Sequence, residues 1–325
     1  MKLRRKTYPS LASAINRYLA EISPHKKGKA SEGSLARRWL DTRLAGRTVE
    51  RIRNTDLIAI RDDWLQDYKP ATVVRRLAFL SHVFTVLRKD WGFPSLANPV
   101  QLVRRPTVDD ARDRRLFTSI RLRGVDESDC PKNELTWILD ATESEELPTI
   151  LMLASQTGMR RSEITNIRRE NVDLRYGVIH IPDSKNGESR DVPLTPLSQE
   201  WLRRYLAGRS FRGRIFTMTA GAVTRAFIRA RTKARSNYEA LCAKHARRPQ
   251  PEYFRDLRLH DLRHEGISIL AGVFAIHELM KISGHNSTRM LGRYFHPSGR
   301  DLARKLARSP LGRQQLARLG STVAE

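Results

Sequence analysis

The sequence predicts a mainly helical protein of two domains, the second carrying a small β-hairpin. Three observations lead there. Apolar residues recur at helical spacing through the first hundred residues and again over most of the chain beyond residue 135. Period-two patterning is confined to two short runs, Val178–Ile181 and Arg190–Leu194. These flank Asn186-Gly187, a dipeptide suited to a tight hairpin because both residues tolerate positive φ. Between the two helical regions, after Asn98-Pro99, periodicity fails in a proline-bearing stretch of mixed charge.

Taken in order, Ser10 is the expected N-cap of a helix whose apolar stripe is Leu11, Ile15, Tyr18, Leu19 and Ile22. A basic break from His25 to Gly33 precedes a second helix around Leu35 and Trp39. Thr55 is the expected cap of a third, with Leu57, Ile60, Trp64 and Leu65. Pro70 suits the first turn of a fourth, since its φ is fixed and it needs no N–H partner there. Val73, Leu77, Leu80, Phe84 and Leu87 share one side of that helix, and Gly92 lies just past its end. These four helices make a compact bundle over residues 1–103, and a linker is placed at 104–115. The second domain, 116–298, opens with helical patterns at Leu135–Leu139 and Leu147–Leu153, the second run stopping at Gly158. The two strands follow, with Lys185 at the hairpin tip. Helices are then expected at Leu197–Leu206 and Ala222–Ala234, a loop or frayed helix from Glu239 to Pro251, and a helix from His260. The tail, 299–325, sets Leu302, Leu306, Leu311 and Leu316 among arginines. It reads as one or two amphipathic helices able to dock on the same molecule or on a neighbour.

A chain of 325 residues is long enough to bury two cores. Its net charge of +25 and pI near 10.9 call for a polyanionic partner. Nucleic acid is the commonest one, with a membrane surface or a ribosome as the competing choice. Arg75 and Arg76 in the fourth helix, and Arg225 and Arg229 further on, are candidate phosphate contacts; the alternative for each is a solvated face. No apolar run approaches the roughly 18–20 residues of a membrane span. No apolar segment follows the basic MKLRRK start, so a signal peptide is not expected. A cytoplasmic, nucleoid-associated protein with no membrane partner is the expectation. Cys130 and Cys242 stand far apart without metal-type spacing and read as reduced thiols.

The chemistry concentrates between His260 and Tyr294. His260 and Arg263 are three apart in a helical pattern and can project from one face. His285 follows Ser283-Gly284, where glycine ends the preceding helix, and Tyr294 comes nine residues later. Upstream, Arg160 emerges directly after the Gly158 turn. Glu163, three residues on, can pin its rotamer or form an ordinary surface ion pair. One phenol to attack, with imidazoles and guanidiniums to hold oxyanions, suits reaction at a phosphate. No metal or cofactor is called for.

The segments TGMRRSEI (157–164), SKNGESRDVPL (184–194), RLHDLRHEG (258–266), SGH (283–285) and RYFH (293–296) stand in an order and spacing that resemble the tyrosine recombinase (phage integrase) family. With PATVVRRLAFLSHVF and NPV in the first domain, the resemblance covers nearly the whole chain. It implies a SAM-like, core-binding helical bundle followed by a mixed α/β catalytic domain. It also implies roles: Arg160 and Arg263 on the phosphate oxygens, Glu163 supporting Arg160, and His285 as a further donor. Lys185 would protonate the departing 5′ oxygen, His260 would act as base and Tyr294 as nucleophile. Such an enzyme forms a 3′-phosphotyrosyl intermediate without metal or ATP. It works on double-stranded DNA with inverted-repeat sites as a homotetramer, and is a monomer or weak oligomer when free. Glu265 and Ser283 depart from the family's usual small or hydroxyl residue and leucine, the 118–132 segment looks longer than usual, and His264 is read as structural. A type IB topoisomerase-like strand relaxer, or a DNA-binding protein with a vestigial site, would share many of these features.

Overall fold

The computed structural model describes residues 7–26, 28–109, 112, 114–122, 124–126, 130–182, 189–209, 212–294 and 299–322. The chain divides into two compact units, Met1–Arg112 and Asp113–Glu325.

In the first unit, helix α1 (Leu11–Glu21) begins where expected, the Ser10 hydroxyl accepting from the Ser13 N–H at 3.1 Å. Helix α2 spans Lys29–Leu40, α3 Asn54–Asp67 and α4 Pro70–Lys89. Thr55 is not the cap of α3. The cap is Arg53, two residues earlier, and the Asp56 carboxylate takes the Arg53 N–H at 3.0 Å. Leu11, Tyr18, Trp39, Leu77 and Phe84 are fully buried in the bundle core. Each such side chain stabilises the fold by about 1.5–3 kcal/mol. Arg75 is exposed on α4, but Arg76, about 100° further round the helix, is 3% exposed. Its guanidinium lies 3.8 Å from the Tyr68 ring centroid and 4.6 Å from that of Trp64. Trp39 Nε1–H donates to the Arg76 carbonyl at 2.9 Å. The expectation that Arg76 contacts phosphate is therefore corrected: it is the cation of an aromatic box inside the bundle.

The second unit comprises α5 (Glu134–Ala141), α6 (Leu147–Thr157), α7 (Arg161–Thr165), β1 (Val172–Asp173), β2 (Val178–Ile181) and β3 (Arg190–Pro193). Helices α8 (Pro196–Leu206), α9 (Ala220–Lys244), α10 (Leu259–Ala271), α11 (Ile276–Ser283), α12 (Thr288–Leu291), α13 (Gly299–Ala307) and α14 (Pro310–Thr322) follow. The antiparallel sheet runs β1-β2-β3, with Ile179 opposite Val192 and both buried. β1, unforeseen in the sequence, adds an edge by pairing Val172 with Ile179. Lys185 and the Asn186-Gly187 tip lie outside the described residues.

Helix α9 runs ten residues past its expected end at Ala234, through Glu239. Tyr238 and Cys242 bury one face of that extension, while Glu239 pairs with Arg235 at helical spacing. Of the basic residues along α9, Arg225 and Arg229 are exposed. Arg231 and Arg235 instead donate to the carbonyls of Leu257, Gln250 and Tyr253, and tie down the 250–257 stretch. Leu302, Leu306, Leu311 and Leu316 on α13 and α14 are all more than half exposed. Among the described residues, no helix is long and apolar enough to cross a membrane.

Candidate active site

The site begins with a contact between two glycines. α6 ends at Thr157, and Gly158 follows in the left-handed region at φ 63°, where side chains are strained. Across from it, a Cβ added to Gly266 of α10 would stand 2.6 Å from the Gly158 nitrogen and 2.9 Å from the Ala154 oxygen. The two helices therefore meet backbone to backbone. That contact sets the distance between the turn that launches Arg160 and the helical turn that carries Arg263. Arg263, 5% exposed, donates from Nη1 to the Gly158 carbonyl at 2.5 Å.

Glu163 is the second anchor. Its carboxylate accepts from the Arg160 backbone N–H at 2.8 Å and from Arg160 Nη1 at 2.9 Å. Arg190 Nη2 donates to the same carboxylate at 2.7 Å. Burial pushes the Glu163 pKa up, but the hydrogen bonds from Arg190 and Arg160 outweigh it and hold the group below the usual range. The Arg190–Glu163 pair is buried on both sides, while Arg160 is partly exposed, and removing one partner of the buried pair would cost about 3–5 kcal/mol. Arg190 was not singled out in the sequence. Strand alternation was the available signal: it shares the inward face of Val192, while Asp191 points out to His180.

Three consecutive carbonyls at the end of α11 then gather three guanidiniums. The Ile282 oxygen accepts from Arg190 Nε at 2.8 Å, the Ser283 oxygen from Arg263 Nη2 at 2.9 Å, and the Gly284 oxygen from Arg160 Nη2 at 2.8 Å. These are the carbonyls a helix C-terminus leaves without intrahelical partners, and its dipole favours cations there. Gly284 ends α11 at φ 66° and lets the chain turn to His285. Burial and the neighbouring Arg160 push the Arg263 pKa down to about 10, so it remains charged at neutral pH.

His285 is neutral at pH 7. Burial, then Arg263 and Arg160, push its pKa down to about 4. Its Nε2 faces Arg263 Nη2 at 3.5 Å, and a guanidinium offers only donors, so Nε2 is the acceptor. Nδ1–H then donates to the Ser283 hydroxyl at 2.7 Å, which donates onward to the Leu279 carbonyl at 2.6 Å. The tautomer follows from this chain of donors and acceptors. Ser283, where the resemblance leads one to expect leucine, thus holds the imidazole.

Tyr294 sits in a 3-10 turn (Gly292–Tyr294) after α12. Its hydroxyl is hydrogen-bonded to His264 Nδ1, and the two rings stack with centroids 5.8 Å apart. His264, expected from the sequence to be structural, is in direct contact with the phenol. The missed signal is its place one helical turn after His260, whose ring meets His264 edge-on at 4.8 Å. The structure thus brings Arg160, Glu163, His260, Arg263, His285 and Tyr294 into one unit and adds Arg190 and His264.

Residues 130–300 match the model of the phage integrase family. A shufflon-specific DNA recombinase of Escherichia coli is 34% identical over 310 residues, covering 91% of this chain and 71% of that protein. The chain belongs to the phage integrase family. Tyrosine recombinase XerA of Saccharolobus solfataricus is 26% identical over 208 residues, covering 63% of this chain and 58% of that protein. The integrase fold extends through both units. The Tn1549 transposon integrase in complex with a circular intermediate DNA superposes with a TM-score of 0.65 at 15% identity, over 93% of this chain and 100% of that one. A lambda integrase from a tetramer bound to a Holliday junction gives 0.63 at 18% identity, over 90% and 79%.

Proposed function

We propose that this site-specific tyrosine recombinase cleaves one strand of duplex DNA by attack of Tyr294 Oη on a backbone phosphorus. The P–O5′ bond breaks, a 3′-phosphotyrosyl link forms, and the 5′ oxygen takes a proton from Lys185. The freed hydroxyl of another strand then reverses the step. The covalent link keeps the energy of the broken diester, so religation needs no ATP. One observation carries this reading: the phenol hydroxyl is held by an imidazole in the same unit as three guanidiniums fixed on consecutive carbonyls. Arg160 and Arg263 suit the non-bridging oxygens, because a guanidinium stays charged and forks onto phosphate. His264, with His260 beside it, takes the phenolic proton; a phenol of pKa about 10 needs such help near neutral pH. Glu163 and Arg190 support Arg160.

The first unit, Arg75 on α4 and Arg225 and Arg229 on α9 contact DNA phosphates and fix register rather than sequence. The working assembly is a homotetramer on DNA whose sites are inverted repeats. The exposed leucines of α13 and α14 join its subunits, and the free chain is a monomer or weak oligomer. The test uses a nicked duplex selected from a randomised pool by its adduct with the unsubstituted chain. Tyr294→Phe is expected to bind that duplex as before and form no adduct. A persistent adduct would move the nucleophile elsewhere.

A further inference from the structure

Beside Tyr294 lies a cation that this reaction scheme does not use. The Arg115 guanidinium sits 5.8 Å from the centroid of the Tyr294 ring, within the range at which an aromatic face attracts a positive charge. The same guanidinium hydrogen-bonds the Ser268 hydroxyl on α10 and comes within 4.0 Å of the Glu265 carboxylate. Ser268 donates back to the carbonyl of His264 at 2.9 Å, and His264 holds the Tyr294 hydroxyl.

The flanks of Arg115 are fixed. Arg114 Nη2 pairs with Glu134 at 2.6 Å, and the Phe117 N–H donates to the same carboxylate at 2.9 Å. The Phe254 N–H adds a third donor at 2.5 Å, and Glu134 is 0% exposed. A carboxylate carried this deep is tolerated only while its donors stay in place, so the 114–117 segment is pinned on both sides of Arg115. Arg115 itself keeps 41% of its side chain exposed, and a contact of that kind adds little to folding stability. A rigid segment that presents a half-exposed cation to a reactive ring is arranged for aiming, not for holding the unit together. Glu265 gains a reason on the same grounds, as the counter-ion of Arg115.

We propose that Arg115, steadied by Glu265 and Ser268, is a positioning residue for Tyr294. It grips the ring while His264 grips the hydroxyl, and together they set the line of attack. The proposal rests on Tyr294 being the nucleophile. The selected nicked duplex is again the probe, and the readouts are the rate constant of adduct formation and the dissociation constant for the same DNA. Arg115→Gln is expected to slow adduct formation roughly tenfold, with DNA affinity and melting temperature unchanged. Arg115→Lys, which keeps the charge, should restore most of the rate. Adduct formation by Arg115→Gln at the unsubstituted rate would overturn the proposal. So would a parallel loss of DNA affinity, which would make Arg115 a phosphate contact, or an Arg115→Lys protein as slow as Arg115→Gln. An adduct that survives Tyr294→Phe would instead bring down the nucleophile reading, and this proposal with it.

Discussion

Arg76 in the first unit and Arg263 in the second are buried almost equally, at 3% and 5% exposure, yet they are held in different ways. Arg76 lies on the faces of Tyr68 and Trp64, and among the described residues its Nη1 has no hydrogen-bond partner. Arg263 donates to two main-chain carbonyls, with Arg160 close by. An aromatic face accepts a cation over a broad area, whereas a carbonyl fixes the direction of each N–H. Burial alone therefore does not fix where a guanidinium points; hydrogen bonds to main-chain carbonyls do.

The sharpest way to break this comparison is to remove each side chain. Arg263→Ala is expected to lower adduct formation by about 10²–10³-fold, the scale set by loss of one preorganised oxyanion donor. Arg76→Met should leave the rate per folded molecule unchanged. Equal losses in single-turnover assays would erase the distinction. Next in size is Gly266→Ala on α10, whose added methyl meets main chain on two sides. It should destabilise the second unit by about 1–3 kcal/mol, read from denaturant midpoints. An unchanged midpoint would mean that the α6–α10 contact has slack.

A pH scan gives a smaller and more selective effect. The His285 pKa falls from 6.5 to about 4 on folding, so the native chain binds fewer protons than the unfolded one between those values. The stability from the neutral ring is complete above the unfolded value and drains away as pH falls towards the folded one. The melting temperature should drop over that window, with a shallower slope in His285→Gln. Burial and Lys26 lower the pKa of His82 in the first unit, so part of the drop survives the substitution. Identical slopes would contradict the assignment. Smallest is Arg229→Ala on the exposed face of α9. It should flatten the log–log salt dependence of DNA binding by roughly 0.9, whereas Arg76→Met should leave that slope alone.

Much of this was legible in the sequence, and the parts that were not share a cause. Pro70, Gly158 and Gly284 act within one turn of themselves, so their positions fixed helix ends where the structure has them. His260 and Arg263 stand three apart on α10, and His285 follows directly on the glycine that ends α11, so their placement is set by local geometry. Arg190 escaped because its partners lie 27 and 92 residues away, and nothing local separates it from an ordinary strand arginine except the inward face it shares with Val192. Arg75 and Arg76 look alike in sequence, and only the helix rotation that brings Tyr68 and Trp64 over one of them tells them apart. α9 outran its expected end because Tyr238 and Cys242 find tertiary cover that a polar, basic sequence does not advertise.

The last turn of α11 has a consequence of its own. Since oxygens 282, 283 and 284 each hold a guanidinium rooted in a different element, a movement of that one turn reaches all three charges at once. Fraying that single turn would leave each on its remaining anchor alone, the Glu163 carboxylate for Arg160 and Arg190 and the Gly158 carbonyl for Arg263.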